Sequence, residues 1–382
     1  MRHHRRVKSI CLLAALALLP LAALAADDPS GWQACSARTD PAARLACFDG
    51  WARRQVTPAA GPAAVPPPPT PEPAAPELPA LQAAEATLAQ PSVRCGSQPA
   101  SSELSRYWDL ENASGCGVFG IRIYRPIQLA LVGANSVNRQ PTSENPANDV
   151  ARAEPYRTTE TRIQLSIRTK IAEGLLTHGG TLRDSLWFGY TQQSYWQLFT
   201  PSISRPFRNT DHEPELIYVY PLAGQSMGDW TLRYGGLGLV HQSNGQSLPR
   251  SRSWNRVYLM AGADHPSGMA LQARVWQRLH EAAGDDDNPR ISDYVGRAEL
   301  IAGFKSSSGQ TVALTWRTPL RGVFDRGSTR LDWMVPLNSA EEPGQFGRLR
   351  FHTQLFNGYG DSLLDYNRQR TVLSVGLSLV DW

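Results

Sequence analysis

The sequence predicts an all-β protein: a twelve-stranded antiparallel transmembrane β-barrel behind an N-terminal extension that is mostly disordered or helical. Three observations predict it. The chain opens with an export signal. Beyond that signal no stretch reaches the ~18 apolar residues that a membrane-spanning helix requires. From residue 118 onward the sequence breaks into short alternating segments, and the connections between them sort into short and long.

Residues 1–26 read as a signal peptide. Arg2, Arg5, Arg6 and Lys8 form a basic start, Ile10 to Leu24 is nearly all apolar, and Ala23-Leu24-Ala25 is a small-residue cleavage signal. Its removal lowers the formal net charge from +4 to 0, so basicity gives no reason to expect nucleic acid as a partner. The 11 Trp and 12 Tyr, with a hydrophobic content of only 41%, suit a barrel in which alternate strand residues face lipid. Composition by itself leaves an exported soluble sandwich open.

Cys11 leaves with the signal, and Cys35, Cys47, Cys95 and Cys116 remain. An even number in an exported chain favours disulfides. The local pairing Cys35–Cys47 with Cys95–Cys116 is preferred among three possibilities, and the absence of C-x-x-C spacing argues against a zinc site. Residues 27–56 read as a small Cys-stapled helical segment. Residues 57–90 form a Pro/Ala-rich linker, with Pro66 to Pro69 in a row and room for one short helix over 81–90. Residues 91–117 carry Cys95 and Cys116 ahead of the barrel domain, 118–382.

Twelve strands are expected near 118–132, 160–173, 182–196, 214–224, 229–243, 254–263, 268–280, 293–305, 310–318, 329–337, 348–357 and 371–381. Connections after odd strands are mostly long and polar (133–159, 197–213, 281–292, 358–370). Those after even strands are mostly short (225–228, 264–267, 306–309). Such sorting is the plan of an outer-membrane barrel, with short turns in the periplasm and long loops outside. In the last strand Leu373, Val375, Leu377 and Leu379 share one face, and Ser374, Gly376 and Ser378 the other. The aromatic terminus Trp382 is out of phase with that apolar face, so the strand is expected to end or bulge before Asp381.

The stretch that carries chemistry runs from Gly238 to Ser247, followed by Ser251-Arg252-Ser253-Trp254-Asn255-Arg256. Side chains two apart on a strand point the same way. His241 and Ser243 therefore share a face with Leu237 and Leu239, which in a barrel is the lipid face. On the returning strand Asn255 has the parity of Val257 and Leu259. It can thus stand beside His241 and fix the imidazole as a triad carboxylate does. Gly245 can offer its N–H to an oxyanion. The bland reading is an interfacial histidine beside a serine that merely starts a loop.

These residues also carry a resemblance. His241-Gln-Ser-Asn-Gly245 with Ser251-Arg-Ser-Trp-Asn-Arg256 resembles the signature of the outer membrane phospholipase A family. The likeness extends through Tyr190-Thr-Gln192, Trp196-Gln197, Pro206-Phe-Arg208, Glu213-Pro-Glu215, Trp230-Thr-Leu-Arg233, Asp286-Asp287-Asn288-Pro289, Gly358-Tyr-Gly360 and Asp365-Tyr-Asn367. It covers roughly residues 118–382. It implies Ser243 as nucleophile, His241 as general base, Asn255 as its orienting residue and Gly245 as oxyanion donor. It also implies calcium, held by the Gln246 carbonyl and the Ser251 hydroxyl with Ser204 from a partner barrel, and a homodimer as the active form. Asp287 matches a carboxylate linked to a second, monomer-type calcium position. Gln246 stands where the family often has Arg, an exchange that a backbone carbonyl survives. Leu248 replaces an acidic residue, which weakens the case for the position near Asp287.

The resemblance thus implies a calcium-dependent phospholipase in the outer membrane, with A1, A2 and lysophospholipase activity on membrane phospholipids. The alternatives are a passive pore or adhesin barrel and a soluble periplasmic serine hydrolase. Residues 27–117 would lie in the periplasm, as a tether or a site for a periplasmic partner. Gln192 is expected to face the lumen, with a dimer interface as the second reading. Asp285-Asp286 and Glu341-Glu342 read as solvated loop charges. Arg205, Arg208, Arg250, Arg252 and Arg256 would hold phosphate headgroups, lipopolysaccharide or lumen acids.

Overall fold

In the computed structural model the described residues are 32–36, 38–55, 100, 102–320, 325–337 and 349–380. The signal peptide, the linker over 57–90, Cys95, Glu341-Glu342 and Trp382 fall outside them. The chain divides into two units, residues 1–83 and 84–382. In the first, helix α1 (Trp32–Ser36) is joined to α2 (Pro41–Gln55) by a disulfide between Cys35 and Cys47. Asp40 starts α2, its Oδ1 accepting from the backbone N–H of Ala43 at 2.7 Å.

The second unit is the barrel. After helix α3 (Glu103–Trp108) come β1 (Ile121–Ile123), β2 (Ile127–Ala134), β3 (Thr159–Glu173), β4 (Ser185–Trp196), β5 (Asn209–Met227), β6 (Trp230–Ser243), β7 (Ser253–Asp264) and β8 (Met269–Arg278). A one-turn helix α4 (Ile291–Tyr294) precedes β9 (Ala298–Lys305), β10 (Thr311–Thr318), β11 (Ser328–Pro336), β12 (Leu349–Gly358) and β13 (Arg370–Leu379). Each strand from β2 to β13 pairs antiparallel with the next, and β13 pairs with β2, which closes a twelve-stranded barrel without edges. Among the described residues no helix is long and apolar enough to cross a membrane.

The expected first strand is split. Both β1 and β2 pair with β3, but Tyr124, Arg125 and Pro126 interrupt the ladder between them. Proline has no N–H to give a neighbouring strand. At the short-turn end, Gly228 joins β5 to β6 with φ +62°, the left-handed geometry that a tight hairpin needs.

Alternation separates two environments. On β6, Leu237 and Leu239 are 47% and 49% exposed on the outer wall, while Val240 between Leu239 and His241 is buried inside. The lumen is polar: Arg125, Glu213, Glu215, Arg256, Arg274 and Glu299 line a cavity of about 280 Å³. Arg125 bonds both Glu213 (2.6 Å) and Glu215 (2.8 Å) there.

Residues 102–117 fold into the short-turn end of the barrel. Ser102 caps α3, accepting from Ser105 N–H at 3.1 Å. Trp108 is fully buried and packs edge-on against Trp187, Tyr234 and Tyr124, with Arg168 4.8 Å from its ring centroid. Asp109 then pairs with Arg122 and with Lys170 at 3.0 Å. Trp108→Ala is expected to destabilise the barrel by about 3–5 kcal/mol, the usual cost of deleting a buried aromatic. Urea titration followed by heat-modifiable gel mobility measures it, and an unchanged midpoint would show that α3 contributes nothing to stability.

Candidate active site

Strand pairing builds the site on the outer wall. His241 stands opposite Asn255 and Ser243 opposite Ser253 in the β6–β7 ladder, below Leu239–Val257 and Leu237–Leu259. His241 and Leu259 are exposed, whereas Trp254, Tyr258 and Met260 on the other parity of β7 are buried. The imidazole therefore looks away from the lumen. Its Nδ1 lies 2.8 Å from Asn255 Oδ1. Among the described residues the Ser243 hydroxyl makes no hydrogen bond, so histidine and serine share a face without a bond joining them. Such bonds in resting sites are often long and tighten when substrate arrives.

Gly245 follows in the turn leaving β6, at φ +61°. That left-handed conformation suits glycine and is costly for a residue with a Cβ. The Gly245 N–H has no partner among the described residues.

The loop arriving from β8 brings carboxylates to this place. Asp287 Oδ2 accepts from the Ser251 hydroxyl at 2.6 Å and lies 3.4 Å from Ser253 Oγ; its Oδ1 accepts from Asn148 Nδ2 at 3.0 Å. Ser251 and Asp287 are thus in direct contact beside the ladder partner of Ser243. Gln246 is held by its side chain on Asn209 Oδ1 (3.0 Å), and its carbonyl accepts no hydrogen bond from the described residues. Ser204 sits in the loop after β4, its carbonyl accepting from Trp196 Nε1 at 2.6 Å. Among the described residues Ser204 makes no hydrogen bond to Ser251 or Gln246 of its own chain. The oxygens of Ser251, Asp287 and Gln246 are hard donors of the kind calcium takes, and only one is a carboxylate. Among the described residues no group of three or more His, Cys, Asp and Glu could hold a metal.

Several expectations are corrected. Gln192 does not face the lumen. It shares the outer parity of Phe188 (44% exposed), while Trp187 and Tyr195 on the other parity are fully buried. The strand is the expected one, but the nearest residues on the face of Gln192 are Tyr190 and Ser194, and the plainly apolar Phe188 stands four residues away. Asp286 is not a solvated loop charge: it is buried and bonded to Arg278 at 2.6 Å. The arginines, apart from exposed Arg205, find partners within the chain, and for Arg256 that partner is a lumen acid, one of the expected arrangements. Arg208 pairs with Glu160 and Asp365, Arg250 with Glu154, and Arg256 with Glu213. Arg252 gives its protons to the carbonyls of Pro249, Ser251, Thr142 and Asn148. Burial pulls the Arg252 pKa below its ordinary value, opposed in part by the nearby Asp287 carboxylate.

Two outward residues of the site were missed. His212 lies opposite Ser243 in the β5–β6 ladder, with Nδ1 2.7 Å from the Tyr190 hydroxyl. Glu281 accepts from Asn255 Nδ2 at 3.0 Å. Parity places both on the outer wall, but only the register shows which residues they meet.

Closed barrel and outward polar patch define a class: a transmembrane β-barrel with a polar group of His241, Ser243 and Asn255 on its outer wall. Comparison with known proteins gives the family. The phospholipase A1 family model matches residues 104–379, and the chain belongs to that family. The match begins at residue 104, so residues 104–117, placed outside the resemblance on sequence, fall within it. A Neisseria meningitidis serogroup B protein carrying the phospholipase A1 name is 36% identical over 283 residues, 73% of this chain and 70% of that protein. Phospholipase A1 of Escherichia coli K12 is 34% identical over 235 residues, 60% of this chain and 72% of that protein. Among solved structures, the outer membrane phospholipase A of E. coli aligns with TM-score 0.58 and 30% identity, covering 69% of this chain and 99% of its own. A Salmonella typhi outer membrane phospholipase dimer with bound calcium aligns with TM-score 0.58 and 28% identity, over 69% of this chain and 93% of its own. The barrel is thereby an outer-membrane protein of a phospholipid-hydrolysing family.

Proposed function

We propose that this protein hydrolyses acyl esters of phospholipids at both acyl positions and in lysophospholipids, through Ser243, His241 and Asn255. The observation that carries the reading is the His241–Asn255 bond on the outer wall, next to Ser243. An imidazole whose Nδ1 donates to an amide oxygen leaves Nε2 as the acceptor, the tautomer that a general base needs. His241 takes the proton of Ser243 as its oxygen attacks the ester carbonyl. The Gly245 N–H faces the developing oxyanion. Protonated His241 then releases the lysophospholipid, and water activated in the same way frees the fatty acid.

Calcium would be held by the Ser251 hydroxyl and the Gln246 carbonyl, with Asp287 against Ser251 and Ser204 supplied by a second copy. A calcium ion bound there would supply positive charge beside the acyl oxygen. An active homodimer follows from that shared ligand. Gln192 and His212, both outward, stand on the wall where a second barrel and an acyl chain between the two would lie. The export signal and the Pro/Ala linker support a periplasmic position for the segment ahead of residue 102, where it would tether the barrel or bind a periplasmic partner.

Two histidines flank Ser243, and they are separable. His241→Ala is expected to lower kcat by about 10⁴-fold. His212→Ala, which leaves the Asn255-bound imidazole in place, should cost less than about 10²-fold. The assay is fatty-acid release from detergent-dispersed phospholipid with calcium present. The reverse order of the two losses would assign the base to His212.

A further inference from the structure

On the reading that His241 is the base, we propose that Glu281 is a positioning residue for it, acting through Asn255. An asparagine amide can present either its oxygen or its nitrogen to a histidine, and only the surroundings decide which. Here the surroundings are specific. Asn255 Nδ2 donates to Glu281 Oε1 at 3.0 Å, while Asn255 Oδ1 faces His241 Nδ1 at 2.8 Å. An ionised carboxylate only accepts hydrogen bonds. Rotating the amide by half a turn would set oxygen against oxygen at Glu281 and N–H against N–H at His241. The carboxylate therefore locks the amide in the one orientation that keeps the proton on Nδ1 and leaves Nε2 free for Ser243.

Glu281 is itself held. Its Oε2 accepts from Arg278 at 3.1 Å, and the same guanidinium nitrogen binds Asp286 at 2.6 Å. Asp286 Oδ1 accepts from the Asn288 N–H at 2.9 Å, and Asn288 Oδ1 accepts from Ser253 N–H at 3.0 Å. The backbone N–H of Leu279 donates to the Asn255 carbonyl at 2.8 Å, which extends the β7–β8 pairing to the level of the site. Glu281 continues the outward parity of Val275 and Leu279, both exposed. The loop that carries Asp287 thus also carries the group that orients the His–Asn pair. A neutral asparagine stabilises an imidazolium less than an aspartate does, and Glu281 places a negative charge one hydrogen bond further out.

The test measures kcat and KM on purified full-length protein with detergent-dispersed phospholipid and saturating calcium, for Glu281→Ala, Glu281→Gln and Asn255→Ala. Glu281→Ala is expected to lower kcat about 10- to 10²-fold with KM within about twofold. Glu281→Gln, whose amide oxygen still accepts from Asn255, should recover most of the loss. In the Asn255→Ala background Glu281→Ala should cost nothing further, because its effect runs through the missing amide. If Glu281→Ala does not fold by heat-modifiable mobility, Glu281→Met, similar in length but without an acceptor oxygen, gives the same reading. Parent kcat in the alanine or methionine variant, or an equal loss in the Asn255→Ala background, would overturn the proposal. Ser243→Ala, run alongside, separates the two levels. Inactive Ser243→Ala with fully active Glu281→Ala rejects only the role of Glu281; active Ser243→Ala rejects the underlying mechanism.

Discussion

Replacing Ser243 by alanine is expected to abolish ester hydrolysis, lowering kcat by roughly 10⁴- to 10⁶-fold, the range seen when a serine nucleophile is removed. Ser243 ends β6 on the outer wall, with His241 two residues before it and Ser253 opposite. Deleting its oxygen removes the atom that attacks, and no neighbour stands in the same place. The Ser253 hydroxyl is directed toward Asp287 (3.4 Å), and the Ser251 hydroxyl is bonded to it at 2.6 Å. The fold should be indifferent to the change, because the Ser243 hydroxyl bonds to nothing among the described residues. Heat-modifiable mobility of the variant should match the parent. Fatty-acid release with calcium present decides the matter, and turnover at the parent rate would remove Ser243 from the mechanism. Inactive Ser243→Ala beside an active parent also excludes a passive pore or adhesin.

Chelation with EDTA is expected to lower the rate by roughly 10²- to 10³-fold, the size of the loss when an oxyanion contact is deleted. Micromolar-to-millimolar calcium should restore it. The affinity range follows from the donors: hydroxyl and carbonyl oxygens around Ser251 and Gln246, with Asp287 as the one carboxylate in contact. Asp287→Ala should raise the calcium concentration for half-maximal activity while leaving the saturated rate much less affected. Because Ser204 is expected from a second copy, calcium and substrate together should shift the protein from monomer to dimer in detergent, as sedimentation or cross-linking would show. Activity indifferent to EDTA rejects the metal and leaves Ser243 standing.

Much of the barrel was legible in one dimension because its rules are local. Alternation on β6 and β7 marks which residues meet lipid, so the outward face of His241 followed from Leu237 and Leu239. Loop lengths marked the two ends. The same rules failed where the nearest side chains of the same parity are polar or amphipathic, as Tyr190 and Ser194 are beside Gln192. Gln192 was placed in the lumen because its polarity outweighed the distant signal of Phe188. They failed again where a charge finds its partner far along the chain, as Arg208 does with Glu160 and Asp365 and Arg250 with Glu154.

Strand number and order, which ends are short, and the shared lipid face of histidine, serine and asparagine could all be read along the chain. These properties depend on spacing along one strand and on turn residues between neighbours. The register that sets His241 against Asn255 and His212 against Ser243, and the fold-back that brings Glu281 to Asn255 and Asp287 to Ser251, exist only in three dimensions. The physical reason is that a strand's pleat fixes direction but not height. How far one strand slides along the next is fixed by closure of the whole cylinder, and where a long loop lands is fixed by the hydrogen bonds it finds at the rim.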